Sequence, residues 1–318
     1  MLDRRQLLTT GAASAGLGLI SSRSAASSGK VAATRFAHVT DVHITPDKDA
    51  PRGVAQMFAH MLARADKPEL VINSGDTVMA VDGGVTGAKA AAQIALWKAA
   101  TQAVPVPIRS CLGNHCVWGG TDPTPDAPAD KKGFGLLVAA TGMPAPYYSF
   151  DHGGWHFVAL NSVSAWPDYG ALTAEHFAWL KADLAATPRE TPVCVFSHLP
   201  ILSVTSLAYG DSCRKPDGNL VPKVWQHADC WAITELFRRH PNVRLCLSGH
   251  MHTRDRCEYR GVWYICGGAA SGAWWGGAEY GFEPCYGAAT LYPDGKFDYE
   301  FIDYGWQART WRGKQLPG

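Results

Sequence analysis

Five short apolar runs in this chain each break off into a polar motif built from Asp, Asn or His, and that recurrence constrains the fold more than any other feature. Residues 34–40 lead into Asp41-Val42-His43, residues 70–73 into Gly75-Asp76, and residues 106–112 into Gly113-Asn114-His115. Residues 193–196 lead into His198, and residues 243–247 into Gly249-His250-Met251-His252. Short runs rich in Val, Ile and Leu read as buried strands. Helical spacing follows two of them, through Met57, Met61 and Leu62 in residues 54–65 and through an Ala-rich run over 88–103. Strands alternating with helices predict an α/β fold. In such folds functional side chains gather where loops leave the carboxyl ends of strands, so motifs spread over two hundred residues can converge.

The rest of the chain continues the pattern. A short helix is expected over 134–140, a hairpin from 147–150 and 155–161 around His152-Gly153-Gly154, and a helix over 173–185 capped by Thr173. The stretches 263–267 and 289–304 read as β-rich, with a turn at Pro293-Asp294-Gly295. No internal repeat is present. With 318 residues, 47% hydrophobic and 11% aromatic, the chain can bury a sizeable core. No Pro/Ser-rich linker follows residue 30, so residues 27–318 are expected to form a single domain.

Residues 1–26 read differently. Arg4-Arg5 precedes Gln6-Leu7-Leu8 and a weakly apolar Gly/Ala-rich run, and Ser24-Ala25-Ala26 offers a small-residue cleavage site. The twin arginines resemble a Tat signal, which makes the Tat translocase a transient partner and a bacterial periplasmic or secreted location the expectation. The run is too short and too weakly apolar for a stable membrane anchor. Removing residues 1–26 takes Arg4, Arg5, Arg23 and Asp3, leaving 26 basic side chains against 27 acidic ones. That balance disfavours nucleic acid, whose phosphates each call for a Lys or Arg, and favours a small-molecule substrate. The nine cysteines form no CxxC pair and do not read as a disulfide scaffold.

Residues i and i+2 of an extended segment point the same way, so Asp41 and His43 can aim at one ion, and His250 and His252 can reach two neighbouring ones. The glycines ahead of Asp76, Asn114 and His250 predict sharp turns that project those side chains. The order of all five motifs resembles the calcineurin-like metallophosphoesterase family over essentially the whole chain from Arg35 to about Asp303. The resemblance implies a four-layer α/β/β/α sandwich of two mixed sheets with two divalent metal ions at one edge. Asp41, His43 and His252 would hold the first ion, Asp76 would bridge, and Asn114, His198 and His250 would hold the second; His115 would stand beside them as the catalytic acid. A bridging carboxylate and hydroxide are a natural way to keep two cations about 3.5–4 Å apart. The donor set suits Mn, Fe or Zn.

Two departures from the family pattern narrow the expectation. After Gly113-Asn114-His115 the family usually has Asp or Glu, which orients the histidine; here the residue is Cys116. Purple acid phosphatases carry Tyr three residues after the bridging Asp and lack the first-motif histidine, whereas this chain has Met79 and His43. The pattern is closer to the cyclic-nucleotide and general phosphodiesterase branches. The activity expected is hydrolysis of a phosphate ester by attack of a metal-bridging hydroxide, a diester ahead of a monoester. The alternatives are a broad phosphomonoesterase and an inactive periplasmic binding module. For substrate contacts the candidates are Trp274 and Trp275, as a stacking loop or a packed β-corner, and Arg214, in a polar loop over 201–226.

Overall fold

The structure is a computed structural model that describes residues 33–119, 132–164, 169–208 and 214–309. The proposed leader, residues 1–26, lies outside the described residues, as does Cys213.

Two βαβ units start the chain: β1 (Thr34–Val39), α1 (Ala50–Ala63), β2 (Leu70–Asn73), α2 (Gly87–Gln102) and β3 (Ile108–Ser110). Pro51 opens α1, and its buried residues Ala50, Gly53, Val54, Met57, Phe58 and Met61 recur at helical spacing. Thr86 caps α2 by accepting from the Lys89 amide. After the short helix α3 (Gly135–Thr141), the hairpin of β4 (Tyr148–His152) and β5 (Trp155–Ala159) opens a second set. It continues with α4 (Ala174–Ala186), capped by Thr173 as expected, and β6 (Val193–Phe196). The one-turn helix α5 (Thr205–Ala208) and the ribbon of β7 (Arg214–Lys215) and β8 (Gly218–Asn219) precede α6 (Cys230–Arg239). The strands β9 (Val243–Ser248), β10 (Arg254–Tyr259), β11 (Val262–Gly267), β12 (Cys285–Leu291) and β13 (Phe297–Asp303) complete the fold.

One sheet runs β13-β12-β1-β2-β3 and the other β10-β11-β9-β6-β5-β4. Both are mixed: β1, β2 and β3 are parallel, as are β5, β6, β9 and β11, while β12, β13, β10 and β4 pair antiparallel. Alternation decides which side chains meet. In the second sheet Phe157, Cys194, Phe196, Leu245, Leu247 and Ile265 enter the core shared with the first sheet, and their neighbours Val158, Val195, Cys246 and Tyr264 pack with α4 and α6. Phe36 meets Phe157 edge-on at 6.1 Å, and the Trp155 indole donates to the Tyr292 carbonyl, so the sheets lie face to face with helices outside.

Helix α6 and strand β10 lie outside the sequence expectation, as do the short α5, β7 and β8 within the expected loop over 201–226. Helix α6 shows a helical stripe through Ile233, Leu236 and Phe237. Strand β10 has no apolar alternation, because it is an edge strand held only by β11, and its charges discourage further pairing. Strand β3 is also shorter than the expected 106–112.

Candidate metal centre

The loops after β1, β2, β3, β6 and β9 carry all seven expected ligands, so the site forms where the carboxyl ends of parallel strands from both sheets meet. The loops are tied together: the Asp41 amide donates to the Gly75 carbonyl at 3.1 Å, the His43 amide to Asp76 at 2.9 Å, and the Gly249 amide to His198 at 3.0 Å. Asp41, His43, Asp76, His250 and His252 all have left-handed backbones, with φ between 46° and 70°. The i, i+2 geometry of an extended segment therefore does not apply to them; tight turns aim these side chains instead. Each such residue costs on the order of 1 kcal/mol or more, and strain of this kind concentrates at functional sites.

The glycines also act otherwise than expected. Of the glycines ahead of Asp76, Asn114 and His250, Gly75 alone has a positive φ; Gly113 is extended at φ −113° and ψ 177°. What Gly113 and Gly249 supply is space. A Cβ on Gly113 would lie 2.1 Å from Asp76 Oδ1, and one on Gly249 would lie 1.8 Å from Thr40 Oγ1 and 2.3 Å from Asp41 Oδ2.

Each of three histidines has one ring nitrogen committed to a backbone carbonyl. His198 Nδ1 donates to Ser74 at 3.0 Å, His250 Nε2 to Val224 at 2.7 Å, and His252 Nδ1 to Gly272 at 2.6 Å. Their other nitrogens are then bare lone pairs aimed inward. His198 Nε2 lies 3.1 Å from Asp76 Oδ2, 3.1 Å from Asn114 Oδ1 and 3.2 Å from His250 Nδ1. His252 Nε2 lies 3.1 Å from His43 Nε2 and 3.3 Å from Asp41 Oδ1, a buried oxygen with no hydrogen-bond partner. Asp41 Oδ2 by contrast is satisfied by the Thr40 hydroxyl and the His250 amide. Asp76 Oδ1 accepts from the His115 amide, which leaves Oδ2 turned toward His198 and, at 3.7 Å, His43.

Acceptors packed this closely in a buried pocket require positive charge between them. Ligating atoms of Asp41, His43 and His252 fall within 4.8 Å of one another, as do those of Asp76, His198 and His250, and those of His43, Asp76 and His115. The titration behaviour reports the same demand. Burial pushes the His198 imidazole down, yet the Asp76 and Asp41 carboxylates override it and raise it to about 9. Burial lowers His43 and His250 to about 4. Asp41 and Asp76 stay well below the usual carboxylate range, burial being outweighed by the facing histidines. This mixed N/O set fits divalent cations of the Zn, Fe and Mn type.

His115 stands at the rim, its side chain 30% exposed and its Nε2 4.0 Å from Asp76 Oδ2. Cys116 beside it is buried, and burial pushes its thiol up to about 12, so it packs as a neutral group. The eight described cysteines are all free. The two tryptophans separate. Trp275 is 2% exposed, donates its indole N–H to the His43 carbonyl at 3.0 Å and packs edge-on against Trp306, so of the two roles open to it the substrate contact is corrected in favour of the packed one. Trp274 is half-buried, with its ring 4.5 Å from that of His252 and 6.0 Å from that of His43. Arg214 is exposed on the β7–β8 ribbon.

Sequence reasoning missed the carbonyls of Ser74, Val224 and Gly272, which no residue type announces. It also missed Asp82, whose Oδ1 lies 4.0 Å from His115 Nδ1. Its only signal was an acidic residue six positions past Asp76.

Residues 34–254 match the family model described as calcineurin-like phosphoesterase. This chain belongs to that family. A calcineurin-like phosphoesterase is a metal-dependent phosphoester hydrolase, and the cluster around Asp76 is chemically suited to divalent ions. Among curated relatives, a 3′,5′-cyclic-nucleotide phosphodiesterase of Nostoc sp. is 32% identical over 124 residues, 39% of this chain and 41% of the relative. A probable cyclic nucleotide phosphodiesterase of Xenorhabdus bovienii is 23% identical over 77% of this chain and 89% of its own length. A dimetal phosphatase from Danio rerio shares the calcineurin-like fold with a TM-score of 0.57 at 14% identity, over 86% of this chain and 99% of that one. A purple acid phosphatase from yellow lupin does so with 0.54 at 14% identity, over 88% of this chain and 53% of that one.

Proposed function

We propose that this calcineurin-like phosphoesterase is a phosphodiesterase, with 3′,5′-cyclic nucleotides as the substrate class to test first. The observation that carries the reading is the buried cluster of Asp and His ligand atoms around Asp76, with His43 intact in the first motif. Asp41, His43 and His252 would hold one cation, Asn114, His198 and His250 the other, and Asp76 Oδ2 would bridge. Two divalent ions there would supply Lewis acidity and activate water for in-line attack at phosphorus.

The chain's own residues prepare that chemistry. The carbonyls of Ser74, Val224 and Gly272 select which ring nitrogen faces inward, and the Thr40 hydroxyl orients Asp41. His115 Nε2 would donate a proton to the leaving oxygen, a role typically worth about 10²–10⁴ in rate. The half-buried Trp274 ring beside His252 would stack a nucleobase or aryl group. The names of the Nostoc and Xenorhabdus relatives support the substrate class.

The test is turnover of bis(p-nitrophenyl) phosphate and p-nitrophenyl phosphate, followed by cyclic nucleotides, with Asp76→Ala alongside. Equal activity in the variant sinks the site, and preference for the monoester selects the phosphomonoesterase instead. Metal binding without any turnover would identify a binding module. We further propose Tat-dependent export on Arg4-Arg5; the Arg4→Lys, Arg5→Lys double variant should remain cytoplasmic on fractionation, and a periplasmic variant counts against it.

A further inference from the structure

Cys116 deprives His115 of the carboxylate that would adjoin it in related chains, and the backbone brings a different one. The Val81 amide donates to the His115 carbonyl at 3.0 Å, which stitches the loop after Asp76 to the turn Asn114–Cys116. That stitch delivers the next residue, Asp82, with its Oδ1 4.0 Å from His115 Nδ1. His115 Nδ1 is a buried atom with no hydrogen-bond partner, while Nε2 at the other end of the ring faces Asp76. A buried imidazole nitrogen left unpaired is unfavourable, and a small rotation of Asp82 would pair it.

Resting on the reading of His115 as proton donor, we propose that Asp82 is the positioning residue that accepts from His115 Nδ1 and holds the ring with Nε2 toward the leaving oxygen. As a water oxygen bonds to phosphorus and the bond to the leaving oxygen breaks, its electron pair goes to the leaving oxygen, which takes the proton from Nε2; the Nδ1 proton stays on the ring, donated to Asp82, which does not touch substrate. Asp82 is 26% exposed at the side chain, and its loop lies outside both sheets. Burial raises its carboxyl above the ordinary value, in keeping with a half-dry place beside the ring.

The experiment compares the wild-type enzyme, Asp82→Asn, Asp82→Glu, His115→Ala and the Asp82→Asn, His115→Ala double variant, each with metal content measured. The substrates are bis(p-nitrophenyl) phosphate and diphenyl phosphate, whose phenolate is the more basic leaving group and has more need of a proton. The expected result for Asp82→Asn is a loss of about tenfold or more in kcat on diphenyl phosphate, at unchanged KM and metal content. The loss on bis(p-nitrophenyl) phosphate should be smaller, Asp82→Glu should recover part of it, and Asp82→Asn should cost nothing further once His115 is alanine. Equal losses on both substrates, additive losses in the double variant, or no loss at all overturn the proposal. If wild type hydrolyses neither diester, the functional reading itself fails; if it hydrolyses both and Asp82→Asn is silent, only this inference does.

Discussion

Gly113→Ala isolates the geometry of the bridging carboxylate. At φ −113° and ψ 177° the position accepts any L-residue, so alanine brings no backbone strain and trims the unfolded chain's entropy by about 0.4–1 kcal/mol in the protein's favour. The collision is therefore the effect to measure. The new Cβ would sit 2.1 Å from Asp76 Oδ1, 2.5 Å from the Asp76 backbone nitrogen and 2.8 Å from its Cγ, where real contacts of this kind begin near 3.0 Å. Side-chain rotation cannot relieve the clash with the backbone nitrogen, so Asp76 and the 113–115 turn must part by about 0.5 Å, and by about 1 Å where Asp76 Oδ1 keeps its place. Overpacking of that size costs about 1–3 kcal/mol of stability. A displacement of about 1 Å at a reacting centre costs on the order of 10² in rate, and disturbed support of a ligand about 10–100-fold in metal affinity. Melting with chelator present, metal titration and kcat on bis(p-nitrophenyl) phosphate read the three quantities separately. A variant that binds two equivalents of metal with wild-type affinity and turns over within about threefold of wild type refutes the placement of Asp76 as the bridge.

Chelation should remove the linkage term from the stability of wild type, about 2.7 kcal/mol when metal had been present at a hundred times its Kd, and so lower its melting point, while leaving Asp76→Ala nearly unchanged; equal shifts count against the site. Replacing Cys116 by Asp, the family's more usual kind of residue, should destabilise the protein by several kcal/mol because the position is 1% exposed, with no gain in turnover on diphenyl phosphate; a faster enzyme with an unchanged melt contradicts the buried placement. His156 is bridged by Asp151 at 2.6 Å and Asp183 at 3.0 Å; burial lowers its imidazole, but these partners raise it above the ordinary value. Its stabilising contribution is thus full below the unfolded histidine's pKa and lost as pH rises through the higher folded value, so His156→Gln should cost most in acid and least in alkali on paired melts. Phe157→Ala, at the seam between the sheets, should cost about 3–5 kcal/mol in denaturant unfolding without altering metal stoichiometry.

The legible part of this protein is local. Strands β2 and β6 occupy the very residues expected, 70–73 and 193–196, because each is a continuous apolar run bounded by polar residues. The Thr173 cap and the seven Asp, Asn and His candidates were readable for the same reason: a side chain's chemistry is written in its letter. Helix α6 went unread although its spacing carried the signal, whereas β10 carried none, since an edge strand of charged residues is a strand only because β11 lies beside it. What the tertiary structure alone decided is how the candidates face one another. The carbonyls of Ser74, Val224 and Gly272 that orient the rings are chemically the same as every other carbonyl in the chain. The role of Gly249 and the burial of Trp275 under His43 arise from segments that meet only when the two sheets pack, whereas the contact of Gly113 with Asp76 and the approach of Asp82 to His115 follow from the pairing of β2 with β3. Sequence determined which atoms could bind a cation; the packing of strand ends from both sheets determined that they share one pocket.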